Sequence, residues 1–230
     1  MSMTLREKYF IDIHKGATGL FMVLLMNVYG TWDSVTSWVY LALHGTYGIL
    51  WISKSILFPD RTWEREPSVW YGLYMWFGLT LYWISGWIIN SGFFNNGIPQ
   101  AAPAWLIGFC VSIFGYGVFL HFSSDMYKHT MLEQRPGQLI DNGIMSRCRN
   151  INYFGELMIY LSFALLAMHW LPLLVLVLMM AIVWFPNMIK KDRSLSRYPE
   201  FDEYKKRANS LSLIFFRYCI HGLILLPVRL

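Results

Sequence analysis

From Pro67 through Leu120 the chain has no Asp, Glu, Lys, Arg or His, and from Leu157 through Ile189 the only residue of those five types is His169. Runs of this length have no polar face to offer water, so they belong in lipid. A bilayer core of roughly 30 Å takes about 20 helical residues per crossing. Dividing the runs where Gly, Asn and Pro cluster gives six expected spans: Gly16–Trp32, Ser34–Ile56, Ser68–Asn90, Ala104–Phe122, Tyr153–His169 and Leu171–Met188. A shorter apolar stretch, Leu211–Pro227, is a possible seventh. Closed β-barrels alternate apolar and polar residues in short strands, whereas these segments are apolar on every face. The expected fold is therefore all-α: a polytopic membrane helical bundle forming one integral domain over residues 1–230.

Composition agrees, since 56% of residues are hydrophobic and only 14% charged, against about 25% charged in a soluble domain. The +5 net charge could suggest nucleic acid, but the placement of the charges argues for a membrane instead. With the N-terminus inside, all of the 19 basic residues except Arg217 and Arg229 fall in or beside the inside segments 1–15, 57–67, 123–152 and 189–210. The turns near Asp33, Ser91–Pro103 and Trp170 then lie outside and contain no Lys or Arg, as the positive-inside rule requires. The expected partners are membrane lipids and a lipophilic small molecule, not nucleic acid. Cys110, Cys148 and Cys219 are far apart and form no CxxC pair, so neither a metal site nor a disulfide framework is indicated.

Most of the basic residues lie in two segments flanking the hairpin of the fifth and sixth spans. The first contains Ser124-Asp125, Lys128, Arg135-Pro136-Gly137 and then Arg149-Asn150-Ile151-Asn152-Tyr153-Phe154-Gly155-Glu156. Asn152 and Glu156, four apart, share a helix face at the membrane edge. The second is Lys190-Lys191-Asp192-Arg193, followed by Arg197-Tyr198 and by Phe201 and Tyr204. Its aromatic residues recur every three positions, which suits a short interfacial helix with the aromatic side toward lipid. Its arginines alternatively suit a phosphate clamp.

These motifs, with Leu43-His44-Gly45-Thr46-Tyr47-Gly48 and Phe58-Pro59-Asp60, resemble the steroid 5α-reductase superfamily, and most of all its short DUF1295-type members, over most of residues 12–207. The resemblance implies a multi-span reductase in the bacterial inner membrane or the endoplasmic reticulum. It would bind NADPH from the cytosolic side, within residues 121–210, and reduce a conjugated carbon–carbon double bond in a steroid-like or other lipophilic substrate. Carried over by position, Asp125, Asn152 and Glu156 would hold the nicotinamide and ribose portions, and Arg135 and Arg193 the phosphates, with Lys128, Arg149 and Tyr198 as further cofactor contacts. Ile151 stands where the motif commonly has proline, and the first span lacks the Glu that polarises a steroid ketone. Tyr47 is then the expected proton donor, with His44 one turn away, and Asp12 or His14 could orient it. The alternative is an S-adenosylmethionine-dependent membrane methyltransferase of the isoprenylcysteine or phospholipid type, which shares the hairpin. Its paired glutamates are replaced here by Lys190-Lys191-Asp192-Arg193, a cationic stretch better matched to phosphates than to a sulfonium. A third class is a non-catalytic lipid-binding or structural membrane protein, in which the polar run only orders loops.

Overall fold

A computed structural model describes residues 6–211. The described residues form seven helices and no strand: α1 Glu7–Tyr29, α2 Val35–Leu57, α3 Val69–Ser91, α4 Ala104–Gln134, α5 Ile151–Leu166, α6 Trp170–Leu195 and α7 Phe201–Arg207. Of these, α1, α3, α4 and α6 are long and apolar enough to cross a membrane, as expected of a membrane protein. Each expected span between residues 16 and 188 falls on one of the first six helices. The possible seventh, beyond Leu211, lies outside the described residues.

The helix limits follow from local chemistry. Ser34 and Ser68 cap α2 and α3 by accepting N–H groups of Ser37 and Tyr71, each at 3.2 Å. Gly30 and Gly92 end α1 and α3 in the left-handed conformation at φ 65° and 60°. Helix α6 widens into a π turn over Met180–Trp184. Pro186 has no N–H to return to the carbonyl four residues back, which lies inside that turn.

Several helices run past the expected span limits. α4 and α6 continue beyond Phe122 and Met188, carrying the basic motifs on helical extensions. The main correction concerns α1, expected to begin its span at Gly16 with Asp12, His14 and Lys15 at its edge. The helix instead starts at Glu7 and buries His14 and Lys15 inside the bundle. It can do so because aromatic rings and hydroxyls of neighbouring helices receive both side chains.

Two helix crossings set the core. In the first, α1 meets α2 along Gly16, Gly19, Gly45 and Gly48, and a Cβ on Gly48 would collide with the Lys15 carbonyl oxygen. In the second, α4 meets α5: a Cβ on Gly155 would lie 2.6 Å from the His121 nitrogen and 2.7 Å from the Gly117 carbonyl oxygen. In lipid, where apolar side chains gain little by leaving hydrocarbon, such close approach supplies much of the packing between helices. Around the crossings Tyr40, Tyr47, Ile88, Ile159, Tyr160 and Phe163 are fully enclosed, while Leu20, Trp70, Phe77, Trp105 and Ile182 face outward as lipid-compatible surface.

The expected interfacial helix is also corrected. Phe201 and Tyr204 of α7 do not face lipid but pack with Ala208 against Leu139, Leu195 and Tyr198. The Tyr204 hydroxyl donates to the Met145 carbonyl at 2.7 Å, so the protein itself satisfies that aromatic row.

Gly155→Ala should therefore lower thermal stability in detergent by about 1–3 kcal/mol through overpacking. Gly108→Ala, where an added Cβ meets nothing within 4 Å, should leave the melting temperature unchanged or raise it. Equal melting temperatures for Gly155→Ala and the wild type would refute the close-crossing account.

Candidate functional site

Lys15, Tyr47 and Tyr160 each lie eight to ten residues from the end of their helix that faces the basic segments. At 1.5 Å per residue this is a common depth of about 12–15 Å. Their hydroxyl and ammonium groups converge there. The Lys15 ammonium donates to the Tyr160 hydroxyl at 2.5 Å and lies 4.2 Å over the Tyr47 ring and 4.7 Å over the Trp51 ring. Tyr47, with no exposed surface, donates its hydroxyl to Glu156 Oε1 at 3.2 Å. The Tyr47 and Tyr160 rings meet edge to face, with centroids 5.8 Å apart. One cluster thus links α1, α2 and α5 through an ammonium, two phenols and a carboxylate. Lys15 has no carboxylate ion partner among the described residues; its charge is answered by a hydroxyl and by ring faces.

The expected helpers of Tyr47 are placed elsewhere. His44 turns its Nδ1 toward the Tyr40 hydroxyl at 2.9 Å and stacks on Phe163. His14 lies 3.2 Å from the Thr80 hydroxyl and stacks on Trp83, and Asp12 accepts from Ser55 at 2.7 Å. Glu156, expected to hold cofactor, is the group that accepts the Tyr47 hydrogen bond.

Nearer the basic end the ionic residues pair across helices. Lys54 of α2 binds Asp125 of α4, both buried, and His121 Nε2 stands 3.8 Å from the same carboxylate. Asp125 and Lys128, one turn apart, are not paired with each other, because Lys128 reaches Asp60 at 2.8 Å. Burial raises the proton affinity of Asp60, but the Lys128 ammonium and two Thr62 hydrogen bonds outweigh it and hold the carboxyl well below the usual carboxylate range. Arg149 grips Asp192 through two nitrogens at 3.2 and 2.9 Å and caps α7 by donating to the carbonyls of Lys205 and Ala208. Lys191 donates to the Arg149 carbonyl at 2.7 Å. These two bonds anchor the loop before α5 to the end of α6.

What remains for a ligand is specific. Asn152 is half-buried, and its side-chain oxygen is enclosed without a hydrogen-bond partner; the Asn150 side-chain oxygen is in the same state. The main-chain carbonyl of Asn152 lies 3.1 Å from His121 Nδ1, which must therefore donate to it. An orphaned buried acceptor costs free energy unless a donor arrives, and a carboxamide N–H suits Asn152. Arg135 and Arg193 are exposed, whereas Arg149 and Lys128 are engaged by carboxylates; Tyr198 is half-buried beside Arg197. Asn152 could thus accept from an amide, and the exposed Arg135 and Arg193 could hold phosphates.

Residues 60–210 match the family described as "Protein of unknown function (DUF1295)". The chain is a DUF1295 protein. No curated protein matches it. Within the matched region of this DUF1295 chain lie Asp125, Asn152, Glu156, Tyr160 and Arg193, whereas Lys15, Tyr47 and Lys54 come from the two helices before it. Lys15, Lys54 and Tyr160 were not among the residues expected from sequence. Two had a legible signal, since Tyr160 is four residues after Glu156 and Lys54 seven after Tyr47, which puts each pair on one helix face.

The Asp60–Lys128 pair gives a pH expectation. A carboxyl held low in the folded state contributes stability that is present above its unfolded value and lost as pH falls through the folded one. Melting temperature should therefore fall with acid, and Asp60→Asn should lower it near neutrality while flattening the acid limb. An acid limb of undiminished slope in Asp60→Asn would refute this.

Proposed function

We propose that this DUF1295 protein is an NADPH-dependent membrane reductase, related to the steroid 5α-reductases, that saturates a conjugated carbon–carbon double bond in a lipophilic, steroid-like substrate. The observation that carries the reading is the Tyr47 hydroxyl held on Glu156 inside an aromatic enclosure with a buried ammonium beside it. Reduction of an enone needs a hydride and a proton, and the proton must come from a positioned acid where water is scarce. NADPH, when bound, supplies the hydride. Tyr47, a phenol, stays protonated at neutral pH and can release its proton to an oxygen or carbon on which negative charge develops. Glu156 fixes the direction of the hydroxyl. Asn152 offers its orphaned oxygen to the carboxamide, and Arg135 and Arg193 offer planar forks to the phosphates.

The same enclosure argues against the methyltransferase alternative. Trp51 already carries two ammonium groups at 4.7 Å, those of Lys15 and Lys54, so a cationic sulfonium would meet like charge. The purified protein should be stabilised to heat by NADPH more than by NADH or S-adenosylmethionine. Tyr47→Phe should lower turnover of an enone by about 10²–10³ while NADPH binding is unchanged. Stabilisation by S-adenosylmethionine alone would transfer the assignment to the methyltransferases.

The topology proposed with this function has six spans, with the N-terminus and both basic segments on the cytosolic side of a bacterial inner membrane or the endoplasmic reticulum. Asn96, at a turn of φ 52° between α3 and α4, is then outside. An impermeant thiol reagent on intact bacterial cells should label Asn96→Cys and spare Arg193→Cys. The reverse pattern would invert the topology.

A further inference from the structure

Lys15 is 4% exposed, lies in the third turn of a span and pairs with no carboxylate among the described residues. An ionisable group in that position is costly, and a Met of similar shape would pack there without the cost. Its ammonium is aimed at one acceptor, the Tyr160 hydroxyl, and lies 4.2 Å over the ring of Tyr47, the proposed donor, whose ring meets that of Tyr160 edge-on at 5.8 Å. The charged and titratable groups packed around this unit are known on every side. On α2 they are Tyr47, His44 and Lys54; on α5, Glu156 and Tyr160; on α1 itself, His14. On α4, His121 stacks on Trp51 with Asp125 beyond it, and on α3, Tyr82 stacks on Tyr160 at 3.9 Å.

We propose that Lys15 is the proton source of the site, passing a proton through Tyr160 to restore the Tyr47 hydroxyl after each turnover. The proposal rests on the reductase reading for the step that consumes the proton. The balance is simple. A hydride brings two electrons to the double bond and the dinucleotide is oxidised. The Tyr47 proton completes the C–H bond, Tyr47 recovers a proton from Tyr160, and Tyr160 recovers one from the Lys15 ammonium. The neutral amine is then reprotonated by water from the cleft lined by Asp12, Trp51, Lys54, Asp60 and Trp63, at the basic end beside α1. Lys15 is thus a relay residue, acting through two phenols and not on the substrate.

The test uses full-length protein in lipid nanodiscs, labelled with ¹³C at the tyrosine Cζ, the carbon whose shift follows the protonation and hydrogen bonding of the phenol. Tyr47→Phe and Tyr160→Phe identify the two signals. As pH is raised from about 6 to about 10, the Tyr47 and Tyr160 signals should move together, without any cofactor. The Tyr47 movement should vanish in Lys15→Met, in Tyr160→Phe and in Lys15→Arg, because arginine keeps the charge but does not release a proton. A Tyr47 signal that is fixed in the wild type, or that still moves in Lys15→Met, overturns the relay. With NADPH and an enone, all three variants should lose about 10²-fold in kcat at unchanged KM for NADPH. Recovery of kcat by Lys15→Arg would show that only the charge matters and likewise overturn the relay. Linked signals in a protein that neither binds NADPH nor reduces an enone would keep the relay and remove the reductase reading. Reduction with a fixed Tyr47 signal would do the opposite.

Discussion

Charge buried among apolar helices must be answered by the protein, and in this bundle the answers decide which helices touch. Lys54 and Asp125 are both nearly inaccessible and each would be intolerable alone, so their pairing fixes the level at which α2 meets α4. Lys15 fixes α1 against α2 and α5 by the same logic, through a hydroxyl and ring faces instead of a carboxylate. The glycine crossings make these contacts reachable. Gly48 lets the Lys15 backbone come against α2, and Gly155 lets His121 reach the carbonyl at the start of α5. Backbone approach and charge placement are therefore one constraint, since a helix displaced outward by a methyl group would carry its ionic side chain away from its partner.

The division of the charges follows from that constraint. Lys54, Lys128 and Arg149 are consumed by Asp125, Asp60 and Asp192, each joining segments distant in sequence. They hold the basic end together and have little left for an anionic ligand. Arg135 and Arg193 remain exposed on the ends of α4 and α6. Any attraction for phosphates at this end thus comes from residues the fold does not use, and altering them should leave the bundle intact. Arg149 is the contrary case: its guanidinium spans Asp192 and the last carbonyls of α7, and its loss would strand both.

The helices were legible in the sequence because lipid imposes one rule, apolar on all faces for about 20 residues, and Pro67–Leu120 carries no charged residue or histidine at all. The edges were less legible, because the same rule reads a charged residue as a boundary. Lys15 was read as the flank of a span for that reason, although the helix runs eight residues further toward the N-terminus. Ring faces that solvate an ammonium come from other helices, and no local pattern announces them. The aromatic row of Phe201 and Tyr204 failed in the opposite sense: its periodicity was real, but a protein core and lipid are equally apolar, and spacing does not distinguish them.

The candidate site was half legible for a related reason. The family resemblance pointed to Tyr47 and Glu156 separately, one as an acid and the other as a cofactor ligand, because they are far apart in the chain. Only the fold makes them partners, at 3.2 Å. That pairing changes the chemistry assigned to Glu156, since an oxygen already accepting from Tyr47 orients an acid before any ligand arrives. The carboxylate comes from α5, and α1 contributes the opposite charge, Lys15, to the same enclosure. With a cation on α1 and an anion on α5 facing one pair of phenols, the two phenols lie in a field directed across the bundle. Charge developing on a bound oxygen would be stabilised toward the α1 side and opposed toward the α5 side.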